Sequence, residues 1–176
     1  MKLIEPGMEY ADGIRAYRQE FLQSGDSMDG TCGLKKYEDP REWIAFLETM
    51  KDPSTVPEPY VPSTQYLFVR EEDGKVVGMI NVRHNLNNDH LALIGGHIGY
   101  SVAPSERRKG YAALMLKTVL PIVKGMGIER ALVTCDQINE ASRRTILRNG
   151  GVYESTVFDP EDRTDVERYW IYLSDK

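Results

Sequence analysis

The chain has 176 residues, 22 Lys and Arg against 27 Asp and Glu, and a formal net charge of −5. That length fits one compact domain able to bury its own core. The acidic balance opposes broad nucleic-acid binding, which needs a basic face.

The opening "MKLIEPGMEY" lacks the apolar core of a signal peptide. "YADGIRAYRQEFL" predicts a weak helix, with Ile14, Tyr17, Phe21 and Leu22 at helical spacing. "DPREWIAFLETM" predicts a stronger one: Asp39 caps it, Pro40 suits the first turn, and Trp43, Phe46, Leu47 and Met50 share a face. "KDPSTVPEPYVPS" holds four prolines and reads as an extended loop. A hairpin follows, with strands at about Gln65–Glu71 and Lys75–His84 and Asp73-Gly74 at its turn. After the turn "NLNND", "HLALIGGHIGYSV" reads as one long strand, or two pieces joined at Gly95-Gly96.

A helix is expected over about Gly110–Gly125, with Ala112, Leu116, Val119 and Val123 as its apolar stripe and Pro121 bending it. Lys117 and Lys124 interrupt this apolar region too often for a membrane span, so a cytoplasmic protein is the expectation. "ERALVTCD" reads as a buried strand, and Cys135 in it as a reduced thiol; Cys32 and Cys135 are too few for a disulfide framework. "NEASRRTILRNGG" is a helix with Asn139 as N-cap and Gly150-Gly151 as its stop. "GVYESTVF" and "VERYWIYLS" close the chain as strands around the acidic loop "DPEDRTD". The order predicts an α/β fold, a mixed sheet with helices packed on it.

The chemistry-bearing stretch is "SERRKGYA". Arg107, Arg108 and Lys109 stand before Gly110, between a strand ending near Val102 and a helix start. A helix N-terminus offers unpaired N–H groups and partial positive charge, so it attracts phosphate. Gly110 lets a ligand reach the backbone, and the small Ala112 keeps the first turn open. There is no Walker loop, and no GxGxxG follows the first strand. No group of His, Cys and carboxylates has metal spacing.

What remains is Arg107-x-x-Gly110-x-Ala112 in "HIGYSVAPSERRKGYAALML". This segment, followed by a strand and an Asn139-x-x-Ser142 helix ending in "NGG", resembles the coenzyme A-binding core of the GCN5-related N-acetyltransferases (GNAT). The pieces "CDQINEASRRTILRNGG" and "RYWIYL" resemble an acetyltransferase-like branch of that family with no assigned acceptor. The resemblance runs from about residue 65 to 173 and is specific over about 97–151. It implies a single N-acetyltransferase domain over 1–176, with a mostly antiparallel central sheet and helices on both faces.

It further implies acetyl-coenzyme A as cofactor. The backbone of Arg107, Arg108, Lys109, Gly110, Tyr111 and Ala112 would bind the pyrophosphate. The backbone of Ser101 and Val102, with Asn139 and Ser142, would hold the pantetheine arm. The strands ending at Val102 and Cys135 would splay to admit the thioester, with an oxyanion donor near Val102. The acceptor would be a primary amine of a small molecule or peptide, with no nucleic-acid or membrane partner. The sequence leaves the acceptor and the oligomeric state open, a homodimer included.

His97 shares a strand face with Gly99 and Ser101 and is the candidate general base for the amine. Many family members carry a tyrosine acid seven residues after the asparagine; here that position is Ile146. Tyr153 or water would have to replace it. The missing tyrosine motivates an alternative, an acyl-coenzyme A-binding regulatory module with little turnover. The "KDPSTVPEPYVPS" and "FDPEDRTD" loops are the candidate acceptor walls.

Overall fold

The computed structural model describes residues 1–173. Ser174, the end of the last expected strand, lies outside the described residues. Strand β1 (Lys2–Ile4) is followed by helices α1 (Ala11–Ser24) and α2 (Pro40–Lys51) and the hairpin β2 (Ser63–Val69) and β3 (Val76–Arg83). Then come β4 (Ile98–Val102), α3 (Tyr111–Gly125), β5 (Arg130–Asp136), α4 (Glu140–Arg148), β6 (Val152–Asp159) and β7 (Thr164–Tyr172). The strands form one sheet in the order β1-β2-β3-β4-β5-β7-β6. Every pair is antiparallel except β4 with β5.

Each face of the sheet carries its own apolar layer. Ile14, Tyr17 and Phe21 of α1 and Trp43 and Leu47 of α2 pack on Leu67, Met79 and Ala103. Met115, Leu116, Val119 and Val123 of α3 and Ile146 of α4 pack on Phe68, Ile80, Ile98, Val133 and Tyr169. Alternate residues of each strand therefore serve opposite layers. β2 is buried at every residue because both its faces are covered. This is the expected mixed α/β architecture, mostly antiparallel with helices on both sides.

Local signals set several elements. The Asp39 side chain accepts from the Arg41 N–H at 2.9 Å to start α2. The Asn139 Oδ1 accepts from the Ser142 N–H at 3.1 Å to start α4. Pro121 sits inside α3 without ending it. Cys135 is buried and free, and its burial pushes the thiol up to about 11.

Two expectations change. The run before Gly95-Gly96 is not strand: Leu91–Gly95 is a helical turn, and β4 begins only at Ile98. The Asn88 side chain accepts from the Leu91 N–H at 3.1 Å, and Arg83 and Arg168 donate to carbonyls along the turn, from Ala92 to Gly96. Polar partners from β3 and β7 thus satisfy backbone that a strand would pair. The second change is β1, three residues long, which exists by pairing with β2.

Candidate active site

β4 and β5 run parallel but share a single register pair, Ile98 with Val133. Past that point they part, leaving a wedge. The Arg83 N–H donates to the His97 carbonyl at 2.8 Å, and the Ala103 N–H to the Val77 carbonyl at 2.9 Å. Those flanking bonds put the odd-numbered residues of β4 in the hydrogen-bonded pairs with β3. Tyr100 and Val102 therefore turn their N–H and C=O groups into the wedge. The sequence reading chose Ser101 and Val102; the alternation replaces Ser101 by Tyr100. Ser101 faces the other way, its hydroxyl 2.9 Å from the Tyr17 hydroxyl and donating to the Asp29 carbonyl at 2.5 Å.

The basic turn lies beyond the end of β4. Gly110 is the residue before α3 and has φ 82°, a left-handed conformation that favours glycine. Arg108 is also left-handed, at φ 61°. Among the described residues no acceptor meets the N–H groups from Arg107 to Ala113. A Cβ built on Gly110 would meet nothing within 4 Å. The result is a concave set of donors at a helix start, suited to a phosphate.

The three cations are not equivalent. Arg107 turns back, its Nη1 2.6 Å from Asp26 and its Nε donating to the Val102 carbonyl at 3.3 Å. Lys109 pairs with Glu106 at 2.8 Å. Only Arg108 makes no ion pair or hydrogen bond among the described residues. The turn thus offers one free guanidinium among the described residues, because carboxylates already pair with the other two cations. Glu106 is buried and also meets Arg70 at 2.9 Å and Lys75 at 3.0 Å. The Lys109 ammonium, then Lys75 and Arg70, hold its carboxyl down at about 2. Tyr111 joins this knot by accepting from Arg70 at 3.3 Å.

Across the wedge, Asn139 spends its Oδ1 on the cap, while its Nδ2 has no partner among the described residues. The Ser142 hydroxyl lies 2.7 Å from the Tyr100 hydroxyl, and burial raises the pKa of that phenol. Ile146 is fully buried in the α3–α4 layer. Tyr153 does not substitute for the missing tyrosine. It lies on β6, two strands from β5, half-exposed and bonded to Thr156 at 2.9 Å. The phenol at the wedge is Tyr100, which sequence reasoning missed; its alternation with Val102 along one strand was the available signal.

His97 departs from the base role expected of it. Its Nδ1 accepts the Leu132 N–H at 2.9 Å, and its ring packs edge-on against Trp170. Burial, with the Arg83 charge behind it, lowers its pKa to about 4. These are the contacts of a neutral, sheet-packing histidine.

The carboxylate at the end of β5 is Asp136. It lies three residues past Val133, the one residue of β5 with a register partner on β4. Its partial burial, and then the charges of Asp29, Asp162 and Asp159, raise its pKa. Two carboxylates of the acidic β6–β7 turn, Asp159 and Asp162, are thus close enough for their charges to act on Asp136. On the α1–α2 face a cavity of about 500 Å³ opens, lined by the segment after α1, by Phe46 and Met50 of α2, by Tyr60 of the proline loop, and by Asn81 and Arg83 of β3.

No curated protein matches the sequence significantly. Among solved structures, yncA, a putative acetyltransferase from Salmonella typhimurium determined with acetyl-CoA, superposes with TM-score 0.67 at 13% identity, covering 99% of this chain and 95% of that one. The microcin C7 self-immunity acetyltransferase MccE, determined with acetyl-CoA and AMP, gives 0.66 at 18% identity, covering 97% and 91%. An N-acetyltransferase from Staphylococcus aureus Mu50 gives 0.65 at 18%, covering 98% of each. At these identities the likeness is one of fold. The profile of the Acetyltransferase (GNAT) family matches residues 27–150, a stretch that holds the wedge, the phosphate turn and Asn139, and so this chain belongs to the GNAT family.

Proposed function

We propose that the protein is an acetyl-coenzyme A-dependent N-acetyltransferase acting on a primary amine. The observation that carries this reading is the run of unmet donors on one path: the N–H groups of Arg107–Ala113, then the wedge-facing edge of Tyr100 and Val102. That path fits an extended ligand with a pyrophosphate at one end. The Arg108 guanidinium and the Asn139 Nδ2 are the free side-chain donors along it.

The thioester would supply the acetyl group: the acceptor nitrogen forms the C–N bond, the C–S bond breaks, and the thiolate takes a proton. The Tyr100 N–H, turned into the wedge, is the backbone donor for the developing oxyanion. An alkyl amine is mostly protonated near neutral pH, so a proton must first be removed. Asp136 stands on the acceptor side of β5, and its raised pKa suits a base. The Tyr100 phenol keeps its proton and can return it to the leaving sulfur.

Calorimetry with acetyl-coenzyme A, followed by free-thiol release with an amine panel, tests this reading. Binding with amine-dependent thiol release supports it. Binding without release across the panel would favour a regulatory module, and absence of binding would sink both.

A further inference from the structure

Among the described residues Arg83 makes no ion pair. Its Nη1 donates to the Gly95 and Gly96 carbonyls at 3.0 and 3.3 Å, which fixes the guanidinium. Its Nε and Nη2 have no partner among the described residues, and no carboxylate lies within ion-pair distance. Burial lowers its pKa, so the charge is held at a cost. A positioned, partly dehydrated guanidinium with two unused donors is a receptor for a carboxylate or another planar anion.

Its location says what that anion belongs to. A Cβ on Gly99 would lie 3.3 Å from both Arg83 Nη atoms, so the guanidinium lies directly on β4, one residue before Tyr100. It lines the cavity of about 500 Å³, a size suited to a small molecule. Phe46, Met50 and Val61 give that cavity an apolar wall, and Asp29 also lines it, with its charge acting on Arg83. Asp136 lies on β5, three residues past Val133, and the Asp29 charge acts on it too. A cation and a carboxylate, Arg83 and Asp29, thus line one cavity, as the two ends of a zwitterion require.

Resting on the acetyltransferase reading above, we infer that the acceptor is an α-amino acid with an apolar side chain. Its carboxylate sits on Arg83, its side chain lies against Phe46, Met50 and Val61, and its amine points at the wedge.

The test uses wild-type protein first. Apolar L-amino acids are compared with their carboxamides and with the amines lacking the carboxyl group, by thiol release from acetyl-coenzyme A. The acids should be preferred by roughly 10- to 100-fold in kcat/KM, the scale of a hydrogen bond to a charged group. Arg83→Met should lose that preference while still binding acetyl-coenzyme A by calorimetry, and Arg83→Lys should recover part of it. Equal use of acids and carboxamides by the wild type would overturn the inference, as would an amine panel in which only neutral or polycationic amines react. Either result leaves the acetyltransferase reading standing. Failure of the wild type to bind acetyl-coenzyme A would remove both.

Discussion

The Tyr100 hydroxyl of β4 and the Ser142 hydroxyl of α4 lie 2.7 Å apart, bridging the two sides of the wedge. Ser142 is one turn before Ile146 on α4, where the family tyrosine would stand. The phenol thus arrives from the strand rather than from the helix. Tyr100→Phe should lower kcat on the order of 10²-fold, the usual worth of a general acid, with little change in acetyl-coenzyme A affinity. Ser142→Ala should cost far less, since it removes the bridge and keeps the phenol. Because burial raises the Tyr100 pKa above its ordinary 10, this acid stays protonated, and the wild-type rate should show no alkaline loss below about pH 9. Steady-state kinetics over pH 6–9 checks all three statements.

Gly110 tests the phosphate turn. At φ 82° any side chain is strained, so Gly110→Ala should lose about 1 kcal/mol of stability. Gly74, at the β2–β3 turn with φ 70°, provides the matched control, since a Cβ there also meets nothing within 4 Å. Both alanine variants should lose similar stability in urea titrations. Only Gly110→Ala should also lose affinity for acetyl-coenzyme A, measured by calorimetry on the folded protein.

Asn139 separates capping from ligand contact. Asn139→Asp keeps an oxygen for the Ser142 N–H and removes the free Nδ2. Asn139→Ala should cost about 1 kcal/mol through the lost cap. The aspartate variant should hold its stability and bind acetyl-coenzyme A more weakly. Normal binding by that variant would leave Asn139 as a cap alone.

His97 is expected to govern stability rather than rate. Its pKa is lowered from 6.5 to about 4 in the folded protein, so the unfolded chain takes up the proton first as pH falls. Its contribution is therefore complete above pH 6.5 and declines toward pH 4, with about 2 kcal/mol lost by pH 5. Urea unfolding at pH 7 and pH 5 should show that loss in the wild type and a smaller one in His97→Gln. The pH profile of kcat/KM should keep its acidic limb in the variant.

What the sequence made legible was what neighbouring residues decide. Asp39-Pro40 and Asn139 mark helix starts, Asp73-Gly74 marks a hairpin, and the phosphate turn is written in consecutive residues. The turn at Leu91–Gly95 was not legible, because its carbonyls are satisfied by Arg83 and Arg168 from distant strands. β1 has no signal of its own, since β2 supplies its hydrogen bonds. The proposed acceptor side was hidden for the same reason: Asp29, Arg83 and Asp136 lie on three separate segments, and the charge of Asp29 acts on the other two only once the chain is folded. His97 was misread because periodicity shows a face and not the N–H of Leu132 opposite it.

Gly30 touches Gly99 backbone to backbone. A Cβ on Gly30 would fall 2.2 Å from the Gly99 carbonyl oxygen, and φ at Gly30 is 65°. The segment that lines the cavity therefore packs backbone to backbone on β4, beside the bond from the Ser101 hydroxyl to the Asp29 carbonyl. A side chain at Gly30 would therefore have to push the segment and β4 apart. Gly30→Ala should accordingly raise the Michaelis constants for amine and acetyl-coenzyme A together. A lesion in the acceptor's half of the protein would then read, in steady-state kinetics, as a defect in both halves at once.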